Sequence, residues 1–151
     1  MQSTIDAAEL ALLAIVRNTA ALSAVTVLDS PPTKDEDYTG EMFYLRDVEG
    51  DDDWDSLGAH RRRETYAIGV SVFVEQWGDD PGTLKTRARA IWSAFRDALV
   101  DDLSPGGAAR LRTAGVIQFD RITYRQILGP SAGEKWGSRI DGQITFTART
   151  V

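Results

Sequence analysis

Cysteine is missing from all 151 positions, which excludes disulfides, thiolate metal sites and cysteine nucleophiles. Histidine occurs once, at His60, between Ala59 and a run of three arginines. Those arginines disfavour its protonation, and no serine or paired carboxylate is spaced to complete a triad with it. His60 therefore reads as a surface loop residue. No run approaches the roughly 20 apolar residues that span a bilayer, so no membrane partner is expected. The first ten residues (MQSTIDAAEL) have no basic segment of the signal-peptide kind. A chain of this kind is expected to stay where it is made unless an assembly carries it elsewhere. Positive charge is also in deficit: the net charge is −6 and the pI about 4.7. That argues against gripping nucleic-acid phosphates, though an acidic wall past which nucleic acid slides is a different device.

What is present is a pattern. From Tyr66 to Val74 the chain alternates strictly, with Tyr66, Ile68, Val70, Val72 and Val74 on one side and Ala67, Gly69, Ser71 and Phe73 on the other. Period two predicts a strand, and Glu64 to Gln76 would span roughly 40 Å, about twice the common length. A helix is predicted from Thr4 to Asn18, opened by Ser3 with Asp6 three residues on. Short strands are predicted near 25–27 and 42–45, the first stopped by Pro31-Pro32. Thr83 reads as the N-cap of a second helix. Its face (Leu84, Ala88, Ile91, Trp92, Phe95, Leu99, Leu103) recurs at helical spacing. Burying its five large side chains contributes about 10 kcal/mol before entropy. Ser104-Pro105-Gly106-Gly107 ends it. The stretch from Val116 to Leu128 alternates but slips one place between Phe119 and Ile122, so a bulge is expected near Asp120-Arg121. Residues 129–137 read as a loop, and clean alternation returns from Ile140 to Ala148. These pieces predict a single domain over residues 1–151. Its class is α+β: a mainly antiparallel sheet with two helices on one face.

Chemistry is scarce on this framework. Glu49, Asp51, Asp52, Asp53 and Asp55 surround Trp54 in what reads as the most acidic loop of the chain, from Val48 to Gly58. A calcium loop of the EF-hand kind needs a glycine at position six and a glutamate at position twelve. Counting from Asp51 or Asp52, the closing position is Arg62 or Arg63, so that frame fails. Gly106-Gly107 follows a helix instead of opening one, so it is no phosphate cradle. No metal, cofactor or catalytic residue is assigned, and the chain is not expected to be an enzyme. Arg61, Arg62 and Arg63 have acids upstream and no interleaved aromatics, which favours salt bridges between subunits or with a partner over nucleic-acid contact. Trp54, Trp77 and Trp136 fall in expected loops, and tryptophan is enriched at interfaces. The candidate interface set is thus Asp51, Asp52, Asp53, Trp54, Asp55, Arg61, Arg62, Arg63, Trp77 and Trp136.

The order of these pieces resembles the tail terminator (tail completion) proteins of long-tailed bacteriophages. The resemblance rests on an N-terminal helix and an early Val-rich strand. It continues with Trp54, Leu57 and Gly58 leading into Arg62, Arg63, Glu64, Tyr66, Ile68 and Val70. An amphipathic helix from Thr83 to Leu103 and an alternating strand from Gly142 to Val151 complete it. It implies a virion structural protein assembled in the host cytoplasm: a homohexameric ring at the head-proximal end of the tail. Such a ring would bind the tail tube protein, stop its polymerisation and meet the head–tail connector, with DNA passing unbound through the lumen. Two other readings stay open: another neck or head–tail connector protein, and a small ligand-binding α+β domain or enzyme.

Overall fold

The computed structural model describes residues 3–34, 37–54, 62–76, 80–130 and 136–149, with side chains at 52–54, 62, 76 and 130 not described. In chain order the elements are α1 (Ile5–Arg17), β1 (Thr26–Leu28), β2 (Glu41–Trp54) and β3 (Arg62–Gln76). Then come α2 (Pro81–Leu103), the one-turn α3 (Arg110–Thr113), β4 (Val116–Pro130) and β5 (Trp136–Arg149). The strands form one sheet in the order β1-β2-β3-β5-β4. Only β1 and β2 run parallel; every other neighbouring pair is antiparallel. The fold is therefore α+β with a mainly antiparallel sheet.

The alternation on β3 decides where the helices sit. Tyr66, Ile68, Val70, Val72 and Val74 enter one core with Leu12, Val16, Leu84, Ile91, Trp92, Phe95, Leu99, Ile144 and Phe146. Both long helices thus cover the same face. The opposite side chains are buried as well toward the end of β3: Phe73 joins Met42, Tyr44, Leu28 and Tyr38 in a small second cluster. The chain between β1 and β2 folds over that corner, so β3 is more than half-buried there. Gly142 permits the main core to close. A Cβ at that position would run into the Trp92 ring, which instead lies against β5.

Several boundaries depart from the sequence expectation. The acidic stretch is not a loop: β2 runs on through Asp51, Asp52 and Asp53 to Trp54, because the long β3 offers it a partner at every position. Aspartate is depleted in strands, but cross-strand pairing outweighs that preference. Trp136 likewise opens β5 instead of lying in a loop, opposite Gln76 on one side and Pro130 on the other. Helix α2 begins at Pro81 with Asp80 as N-cap, two residues before Thr83; proline suits the first turn, where its missing N–H costs nothing. The Ser3–Asp6 box does not cap α1. Thr4 is the N-cap residue, and its amide is held by Glu64. The slip in β4 does occur, between Phe119 and Arg121, with a second between Val116 and Gln118.

Candidate subunit interface

The interface candidates separate by place. Asp55, Arg61 and Trp77 lie outside the described residues, as does His60; for Asp52, Asp53, Trp54 and Arg62 the backbone alone is described. Pairing of β2 with β3 sets Asp53 opposite Arg63 and Trp54 opposite Arg62. The switch from acid to base is thus folded back on itself within one chain, a registry that sequence order alone does not reveal. Asp51 and Arg63 are exposed. Trp136 is 43% exposed, at the other end of the sheet. Trp54 and Trp136 flank opposite ends of β3, roughly 45 Å apart at the rise of an extended chain. The candidate set does not form one patch.

The sheet face away from the helices is largely polar. Reading across it, Glu49, Ala67, Thr145 and Arg121 form one row, and Asp51, Thr65, Thr147 and Gln118 the next. Ser71 donates to Asp141 at 2.6 Å, and Arg139 reaches the other oxygen of the same carboxylate at 3.1 Å. Arg46 lies at the bulge in β2 between Leu45 and Val48 and donates to the Gly142 carbonyl at 2.8 Å. Gly69 gives it passage: a Cβ there would stand 3.2 Å from Arg46 Cβ and 3.1 Å from the Asp47 carbonyl. Arg46 tops a shallow hollow of about 360 Å³ shared with Thr123, Arg125, Asp141 and Gln143. Within it Arg46 holds the Gly142 carbonyl, and none of these residues pairs a nucleophile with a base.

The buried acids are spent on the fold. Glu64, 2% exposed, accepts from the Thr4 amide and the Ser3 hydroxyl. Asp102, 4% exposed, accepts from the Arg110 and Leu111 amides at 2.9 and 3.0 Å and so caps α3. Sequence reasoning missed both, although Glu64 stands in phase with Tyr66 and Ile68 and was therefore bound to face the core. Glu41 and Arg87 form a bidentate pair joining β2 to α2, which raises the Arg87 pKa. Burial pushes the Tyr44 hydroxyl up to about 12. Among the described residues no group of three acids or histidines could hold a metal ion. No described helix is long and apolar enough to cross a membrane.

Apolar side chains left in solvent are concentrated on the last hairpin. Among the described residues, Ile117, Tyr124 and Leu128 on β4 and Trp136 on β5 account for four of the six large exposed ones, the others being Leu10 and Val100. No known protein family matches the chain, and neither does any curated protein.

Proposed function

We propose that this chain is a tail terminator of a long-tailed bacteriophage, a virion protein that forms a homohexameric ring at the head-proximal end of the tail. The reading rests on the resemblance in element order. The observation that best supports it is a sheet whose two outer edges are left for neighbours. Among the described residues β4 pairs on one side only, and β1 covers just three residues of the fourteen-residue β2. Long edges are a liability unless bulges, charges or another chain protect them, and a neighbouring subunit would do so. The ring would bind the tail tube protein and the head connector, and its acidic wall would let DNA pass without adhering.

Electron microscopy of tails assembled without the protein tests this directly. Overlong tubes are expected. Tails of normal length that fail to join heads would indicate a neck or connector protein instead, and unaltered particles would overturn both virion readings.

A further inference from the structure

Two segments of the sheet edge match in length, direction and charge. Beyond the three residues covered by β1, β2 offers Leu45–Trp54. Beyond its second bulge, β4 offers Arg121–Pro130. Each runs ten residues. Successive antiparallel pairings make β4 antiparallel to β2, so a second copy laid against β4 by its β2 edge continues the same sheet. On the face away from the helices, β2 presents Glu49 and Asp51, and β4 presents Arg121, Thr123 and Arg125, all of them exposed. Among the described residues none of the two acids and two arginines is engaged in an ion pair.

We propose that the β4 edge of one copy pairs antiparallel with the β2 edge of the next, with Glu49 opposite Arg125 and Asp51 opposite Thr123, between the two arginines. This rests on the ring reading only in naming how its subunits would join. The register runs along the regular part of β2 past its bulge, from Val48 against Gln126 to the Asp53 position against Arg121. It also sets Gly50 against Tyr124. Gly50 has no room for a side chain, since a Cβ there would meet Tyr66 Cβ at 2.9 Å. Tyr124 is 57% exposed, and its ring would cover the bare backbone of that glycine, an arrangement that stabilises strand edges. Like charges facing each other across strands are destabilising. A two-fold β4–β4 pair would bring Arg121 against Arg125, and a β2–β2 pair would oppose acids. The charges therefore favour a head-to-tail contact, which either closes into a ring or continues as a filament.

The absence of cysteine makes the contact simple to trap. E49C/R125C, oxidised, is expected to give a ladder of linked chains on a non-reducing gel. E49C alone and R125C alone should stay at 16.6 kDa. Dimers from R125C alone would mean a two-fold β4 contact and overturn the proposal, as would no linkage in the double variant. Charge reversal provides an independent measurement by light scattering. E49R/D51R and R121E/R125E should each lose the multimer expected of the wild type, and an equal mixture of the two should regain it. Multimers that survive both reversals overturn the edge pairing while leaving the terminator reading intact. Trapped edges together with tails of normal length made without the protein would have the opposite meaning.

Discussion

The carboxylate of Glu64 accepts a hydrogen bond from the Thr4 amide at 2.9 Å, across sixty residues of sequence. That amide is one of the donors that a helix N-terminus leaves without an internal partner, and the helix dipole favours a negative charge beside it. Ser3 Oγ donates to the same carboxylate at 2.7 Å, and the hydroxyls of Thr4 and Tyr66 lie 3.0 Å apart. Charged hydrogen bonds of this kind contribute about 1.5–3 kcal/mol. E64Q keeps the shape but not the charge, so the unfolding free energy read from urea titration should fall by about that amount, through a lower midpoint at unchanged slope. A midpoint equal to that of the wild type would show that α1 is held by its apolar face alone.

Gly142 carries no side chain where Trp92 crosses β5. G142A forces the indole away from the sheet and from its neighbours Phe95 and Tyr124. Overpacking of a filled core costs about 1–3 kcal/mol. Denaturant unfolding should register that loss, and the near-UV signal of the tryptophans should change with it. An unchanged near-UV spectrum would mean that the ring has room to spare.

Alkaline pH should weaken the fold through two tyrosines. Tyr44 is raised to about 12, chiefly by burial, and Tyr66 is raised for the same leading reason, against the hydrogen bond with Thr4. Below pH 10 both hydroxyls are protonated whether the chain is folded or not, so they contribute no pH dependence. Above it the unfolded chain releases protons that the folded chain retains, and stability falls as pH rises from about 10 toward 12. Urea midpoints of the wild type and Y44F/Y66F between pH 9 and 11.5 check this: the variant should lose less with rising pH. Parallel curves would assign the alkaline loss to other groups.

Ala109 holds φ at +55° in the turn ahead of α3. An L-residue is strained in that region and glycine is not. A109G should therefore stabilise the protein by about 0.5–1 kcal/mol, raising the thermal midpoint by about 2 °C. A drop in the midpoint would indicate that the Ala109 methyl is worth more than the strain it carries.

Sequence periodicity located β3 almost to its ends, because a strand in contact with a core announces itself by its apolar side chains. It found the slip in β4 for the same reason. It failed where the partner, not the residue, decides the conformation. Asp51, Asp52 and Asp53 have turn-forming chemistry and become strand only because β3 runs alongside them. Trp136, read as loop, is drawn into β5 by Gln76 and Pro130 on either side. For the candidate interface residues, composition supplied the types and not the places: the acids fold back against the arginines at one end of the sheet with Trp54, while Trp136 stands at the other. Arg121 and Arg125, without an ion pair among the described residues, were missed because β4 gave no sign in sequence that it would be an edge.

The position of β3, paired on both sides, and of β4, paired on one, sets up a clock in deuterated water. Amides of β3 are tied to a neighbour on one side or the other, and they should be among the last to exchange. On β4, alternate amides point away from β5, and in the isolated chain those should exchange almost as fast as in an unfolded peptide. The strand would then carry an every-second-residue rhythm of fast and slow positions, and whatever docks along that edge would silence it.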